Sequence, residues 1–286
     1  MKCDLHVHTV HSGMCEIPVL RRLCRESYSD PEEVYASLKR QGMDLVTVTD
    51  HDSIEAAEPL RRHADFFLSE EATCQLPGGG LLHLGIYDIT ERDHLEIQRR
   101  ASDFLALAAY LRERRLFYSA NHVFSSLTGS RTLADFAWLA SIAPAFETLN
   151  GAVPGISNSG ARSFAGWHGK AVMGGSDAHA LPSLGTAYTV APGARSKEDF
   201  IGALHAGRAR VEGESGGYFK LTRDVFCIAA GMMCEIPWTR ALAPFALAIP
   251  LVTLGNRIRE SIFARYWMMR LERERTPRIL ETEPAL

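Results

Sequence analysis

The sequence predicts an α/β fold from residue 2 to about residue 210, followed by a mostly helical extension over 211–286. Short apolar runs of β-type residues alternate with longer, charged stretches of helical period through the first part. That alternation stops past residue 211, where the uncharged stretches Val225–Cys234 and Ala241–Asn256 appear. A chain of 286 residues that is 46% hydrophobic and 23% charged has an ordinary globular composition, enough for one large domain or two small ones. Its net charge of −3, from 31 basic and 34 acidic residues, gives no global electrostatic reason to expect nucleic acid. Six cysteines without a CxxC pair are too sparse for a disulfide scaffold at this length and read as reduced thiols. The opening Met-Lys-Cys-Asp-Leu-His has no apolar signal core, so the expected location is cytoplasmic.

About seven strands are expected from β-type apolar runs. In order they are Cys3–Val7, Leu45–Thr49, Phe66–Ser69, Leu82–Tyr87, Phe117–Ala120, Ala145–Thr148 and Ala171–Met173. A helix is expected over Pro31–Gln41: Asp30 caps it, Pro31 occupies its first turn beside Glu32 and Glu33, Val34 and Leu38 form its inner face, and Gly42 stops it. Gly78-Gly79-Gly80 lies between two strands and lacks a following Lys-Ser or Lys-Thr, so it reads as a turn. Alternation of this kind leaves two architectures open, an open doubly wound sheet or a closed barrel, and no glycine-rich phosphate loop follows the first strand.

In the extension, Ala241–Asn256 carries no charge but is shorter than the roughly 20 residues of a spanning helix, and Pro244 and Pro250 interrupt it. Arg257, Arg259, Arg265, Arg270, Arg273, Arg275 and Arg278 follow, mixed with Phe263, Tyr266 and Trp267. Two readings stay open. One is a helical hairpin packed on the α/β part with an arginine-rich outer face. The other is peripheral contact of 225–278 with the anionic inner membrane surface.

The strongest chemical signal is the placing of potential metal ligands at strand ends, where barrel active sites are built. His6 and His8 are two apart on the first strand, so period-2 geometry sends both imidazoles to one face. The second strand ends in Asp50-His51-Asp52, whose carboxylates can ligate metal or orient the ring. Glu70-Glu71, His83, Asn121-His122, Glu147 and Ser176-Asp177-Ala178-His179 continue the series. A lone histidine is more often a surface or satisfied core residue. Successive strand ends each bearing donors instead suit zinc, manganese or iron, with a bridging carboxylate holding two ions roughly 3.5–4 Å apart.

The elements DLHVHT, TDHD, SEEAT, HLG, NH at 121–122, ETLNG and GGSDAH, in this order and spacing, resemble the PHP (polymerase and histidinol phosphatase) family of metal-dependent phosphoesterases. The match runs from residue 1 to about 210. It implies a distorted seven-stranded TIM-like β/α barrel, to which the C-terminal helical extension read from the composition is added. It also implies that His6, His8, Glu71 and Asp177 hold one ion, that Glu71 bridges to a second held by His83 and His122, and that His51 and His179 match ligands of a third. The family usually carries an Asp or His shortly after HxH to complete that third site. Here the segment reads Val10-His11-Ser12-Gly13-Met14-Cys15, followed by an unusually long connection to Ser29, which leaves two or three ions open and His11 as one substitute.

The activity expected is hydrolysis of a small phosphate ester by attack of a metal-bridging hydroxide. Asp177 stands at the metals, His179 is a candidate to protonate the leaving group, and Arg131 and Arg162, placed in loops after strands, are candidates for a phosphate clamp. The alternative is a metal-stabilised barrel scaffold docked to a membrane or partner through its extension.

Overall fold

The computed structural model describes residues 1–15 and 20–275; Arg278 and the last residues of the predicted extension lie outside the described residues. Two sheets form the framework. β2 (Ser69–Gln75), β3 (Leu81–Tyr87), β4 (Phe117–Ala120), β5 (Ala145–Asn150) and β6 (Ala171–Gly175) follow one another in a five-stranded sheet. β1 (Lys2–Cys3), β7 (Ala187–Val190) and β8 (Arg210–Gly213) form a second, three-stranded sheet. The glycine run at 78–80 is a turn, as expected, and such a short connection obliges β2 and β3 to pair antiparallel. β3 and β4 are also antiparallel, whereas β4–β5 and β5–β6 are parallel across the crossover helices α5 (Leu133–Ile142) and α6 (Gly155–Trp167).

The expected strands from Leu82 to Met173 are present, each within a few residues of its expected bounds. The closed seven-stranded barrel is corrected: among the described residues the two sheets are not joined by continuous ladders. Residues 4–8 and 45–51 run between them and pair only through single parallel bridges, Val7 with Ala178, Val46 with Phe66 and His51 with Glu71. The reason is chemical. Side chains take the place of ladder partners, since Thr49 Oγ1 accepts the Val7 N–H at 3.0 Å and Asp4 Oδ1 accepts those of His6 and Ser176 at 3.3 and 2.8 Å. Those side chains tie the HxH segment to both neighbours without regular strand geometry. β7 and β8 were not expected, and β8 extends past the predicted domain boundary at 210.

α1 (Pro31–Arg40) forms as its sequence dictates, with Asp30 Oδ1 accepting the N–H groups of Glu32 and Glu33. α2 (Ala57–Leu60) packs with it on Val46 and Val48. α3 (Glu91–Arg100) and α4 (Phe104–Glu113) cover the five-stranded sheet, and α7 (Lys197–His205) covers Leu5, Phe117 and Met173.

The extension is α8 (Tyr218–Glu235), a 3₁₀ stretch Pro237–Ala248 and α9 (Ile249–Arg275). It is a hairpin packed on the domain: Ala264 and Trp267 of α9 belong to the main core, with the Trp267 ring 5.0 Å from that of Phe136. The two prolines do not break it as expected. Pro244 sits within the 3₁₀ stretch, and Pro250 lies in the first turn of α9, where no intrahelical N–H is needed. The helical run Pro237–Arg275 is therefore long and apolar enough to cross a membrane by length and composition, which by itself is weak support for a membrane role.

Candidate metal centre

Six segments converge where the two sheets meet. The HxH segment lies beside residues 176–178, with His8 N donating to Ala178 O at 3.1 Å and Asp177 N to His6 O at 2.7 Å. On its other side Thr49 N donates to Val7 O at 2.8 Å, and Glu71 N reaches Asp50 O at 3.2 Å. β3 brings in His83, whose carbonyl accepts Asn121 N at 3.0 Å and so aligns His122.

Eight of the predicted ligands come together: His6, His8, His51, Glu71, His83, His122, Asp177 and His179. They form four overlapping triads, His8/His51/His179, His6/His8/Asp177, His6/Glu71/His122 and His51/Glu71/His83, with the ligand atoms of each within 4.8 Å of one another. Each triad shares a residue with the next, so the donors close into a ring. Glu71 is its hub: Oε2 lies 3.1, 3.4 and 3.3 Å from nitrogens of His6, His8 and His51, and Oε1 lies 3.3 and 3.6 Å from those of His122 and His83. Asp177 Oδ1 lies 3.3 Å from His8 Nε2 and 3.5 Å from His6 Nε2.

The residues fit divalent ions. His8 Nε2, His51 Nδ1 and His83 Nδ1 are buried without a hydrogen-bond partner, yet each points at a carboxylate oxygen 3.3–3.6 Å away. Buried polar atoms are ordinarily satisfied, and converging lone pairs of this kind are what a cation satisfies. Protonation agrees. Burial pushes the His83 imidazole down to about 3, and burial followed by the neighbouring His179, His51 and His6 holds His8 well below its ordinary value, so both imidazoles are held neutral. Burial alone would raise Glu71 and Asp177. The surrounding imidazoles outweigh it, His6 foremost, and hold both carboxyls well below their usual range as anions.

A second tier orients the donors. His6 Nδ1 lies 2.8 Å from Glu147 Oε1, and with its proton held there Nε2 would be free to offer a lone pair toward Glu71 and Asp177. Glu147 Oε2 also accepts from His122 N at 3.0 Å and Asn150 Nδ2 at 2.9 Å, and the same amide reaches Asp177 Oδ2 at 2.9 Å. Asp177 and His122 adopt left-handed backbone, with φ of 50° and 32°. Such strain is characteristic of functional sites.

Three expectations need correction. Asp50 is not among the donors: its carboxylate accepts from Thr9 N, Thr9 Oγ1 and Ser12 Oγ at 2.6–2.7 Å, and Ser12 Oγ in turn bonds His8 Nδ1, so Asp50 orients the HxH loop instead. Arg131 is buried and donates to Leu81 O and Thr128 Oγ1, because the loop before α5 folds it inward. Arg162 is an exposed residue within α6, not a loop residue after a strand. Neither arginine bonds to the cluster.

His11 is turned to Glu55 at 3.1 Å, away from the donor ring, whereas Glu26 lies beside it. Glu26 Oε2 lies 3.2 Å from His51 Nε2 and 3.9 Å from His179 Nε2. The long connection doubles back, with Cys15 N donating to Cys24 O at 2.9 Å and Glu26 N to Gly13 O at 3.1 Å, which returns Glu26 to the site. The length of that connection was the sequence signal. Glu147 was visible as a strand residue without a role, whereas Glu26 had no motif. His94 of α3 stands outside the donor ring and bonds the buried Glu70 at 2.8 Å.

Residues 155–209 match the family model described as PHP-associated. The fold resembles that of PsfC from Pseudomonas syringae PB-5123, with a TM-score of 0.57 and 16% identity, covering 82% of this chain and 98% of that one. It also resembles a two-domain protein from Bacteroides vulgatus containing a predicted PHP-like metal-dependent phosphoesterase, with a TM-score of 0.56 and 16% identity over 79% of this chain and 69% of that one. An uncharacterized protein of Methanocaldococcus jannaschii is 31% identical over 62 residues, 22% of this chain, and the match spans only 35% of that relative's length. The PHP-associated match is thus confined to residues 155–209, and what the two solved structures share with this chain is the fold.

Proposed function

We propose that the protein is a metal-dependent hydrolase of small phosphate esters. The observation that carries this reading is the closed ring of triads around Glu71, which offers several adjoining positions for divalent ions within one buried cluster. Bound there, such ions supply Lewis-acid polarisation of phosphoryl oxygens and a water of lowered pKa. His6, His8, Glu71 and Asp177 would hold one, and Glu71 with His83 and His122 an adjoining one. Glu26, His51 and His179 are the donors for a third, with Glu26 taking the place the family gives to a residue nearer HxH.

The chain's own part is to keep this set rigid and correctly protonated. Glu147 fixes the His6 tautomer, Ser12 holds His8, and Asn150 holds Asp177. His179 is the more exposed donor, at the cavity wall. Its exposure would suit it either to protonate a leaving oxygen or to serve as a further ligand. The scaffold alternative is not favoured, because a structural site closes all its positions and this ring offers more donors than one closed site uses.

The test is elemental analysis of the purified full chain, paired with phosphate release from an aryl phosphate monoester and diester in added manganese or zinc. Two or more ions per chain are expected, with turnover lost in Asp177→Ala and one ion lost selectively in Glu26→Gln. A chain that binds no metal and releases no phosphate from either ester would sink the proposal.

A further inference from the structure

One cavity beside the donor ring has no part in holding metals. It has a volume of about 170 Å³ and is bordered by Asp177 and His179 of the ring and by Asn256, Arg257 and Glu260 of α9. The extension thus forms part of the wall of the candidate active site. Val153 and Leu221 give that wall an apolar character, so a charged group among them meets little competing water.

The attachment of α9 is specific. Glu260 is buried and accepts from Ser126 N at 3.0 Å, with the hydroxyls of Ser125 and Ser126 also donating to it. Ser125 N donates in turn to His122 O at 2.8 Å. The helix is therefore tied to the loop that carries a ring donor, which sets where Arg257, one turn earlier, is held.

The guanidinium of Arg257 donates from Nη1 to Gly216 O at 3.1 Å, and among the described residues it forms no ion pair with a carboxylate. Lys220 of α8, within electrostatic reach of Asp177, is used differently. Its ammonium is half-buried and engaged by Gly151 O at 2.6 Å and by Thr186 Oγ1. Arg257 is left with donors to spare, on an element that supplies no metal ligand. Its planar fork suits a carboxylate or a phosphate.

We propose that Arg257 binds a second anionic group of the substrate, so that the site prefers a small phosphorylated acid over a neutral ester or a polymer. This rests on the hydrolase reading above, in which the metals take the phosphoryl group. The cavity is well below the roughly 300–1,000 Å³ of common ligand pockets, which favours a compact leaving group.

The experiment titrates the metal-loaded full chain calorimetrically with two non-hydrolysable probes, phosphonoacetate and methylphosphonate, which differ by one carboxylate. The wild-type chain should bind phosphonoacetate at least tenfold more tightly. Arg257→Gln should abolish that margin while leaving metal content and methylphosphonate affinity unchanged. Arg257→Lys should restore part of the margin, and Arg259→Gln, on the exposed side of the helix, should keep all of it. No preference in the wild-type chain, or the same preference in Arg257→Gln, overturns the proposal. The titration needs no turnover, so failure to hydrolyse aryl phosphates would count against the hydrolase reading alone.

Discussion

Glu147 shows how much of the centre is decided by a residue outside the donor ring. Both its oxygens are engaged, Oε1 by His6 Nδ1 at 2.8 Å and Oε2 by His122 N and Asn150 Nδ2. An imidazole presents a metal-binding lone pair on Nε2 only while Nδ1 holds its proton toward an acceptor. Glu147→Gln keeps the volume and changes the acceptor, and it should weaken metal binding by about 10–100-fold. Competition against a chromogenic chelator measures this, with circular dichroism confirming an intact fold; unchanged metal affinity would refute the tautomer role. Packing at this scale is equally strict. A Cβ on Gly175 would lie 2.3 Å from His6 N, so only glycine lets β6 pass this close to the HxH segment.

At the scale of elements, the helices over the sheet are stapled to one another by polar side chains. Thr90 and Asp93 form a reciprocal capping box at the start of α3, and the second oxygen of Asp93 accepts from Tyr110 OH at 2.7 Å and Arg114 Nε at 2.9 Å, reaching α4 and the residue just beyond it. Burial alone would raise the Asp93 carboxyl, but the bonds from Thr90, Arg114 and Tyr110 outweigh it and hold it well below the ordinary carboxylate value. The stabilisation this gives is fully present above the unfolded carboxylate pKa of about 3.9, and it is lost as pH falls through the folded value. The melting-temperature gap between wild type and Asp93→Asn should therefore be largest near neutrality and shrink as the buffer is taken below about pH 4. A gap that does not change with pH would show that Asp93 stabilises the helix pair by packing alone.

Over the whole molecule, the extension and the α/β part share one interior. Trp267 packs on Phe136, and Phe124, Phe136, Phe146 and Phe164 form a continuous aromatic cluster beneath it. Trp267→Ala should cost roughly 3–5 kcal/mol, read as a lower midpoint of a single unfolding transition. If α9 were an independent appendage, the main transition would stay where it is. The opposite side of the same helical run leaves Phe245, Leu247, Leu251 and Val252 exposed, so its inward face, not its overall hydrophobicity, ties it to the fold.

Local patterns in the chain were enough to determine the α/β class, the first helix with its Asp30 cap and the glycine turn, and to put candidate donors at strand ends, because a strand's period of two and a helix's capping chemistry act between near neighbours. The PHP resemblance supplied the grouping of those donors, since no local pattern relates His6 to Asp177 across the chain. What only the tertiary structure decided depends on where distant segments meet. Asp50 and Arg131 carry the right chemistry for a site, but Thr9, Ser12, Leu81 and Thr128 claim their polar atoms first. Glu26 carries no motif and becomes a candidate donor because a loop doubles back. The irregular HxH strand, which leaves the barrel open, follows from the side chains of Asp4 and Thr49 taking the hydrogen bonds a regular ladder would use. Arg257 reaches the site because Glu260 and Trp267 anchor α9 at contacts more than 100 residues distant in sequence, and no periodicity in the sequence encodes contacts of that range.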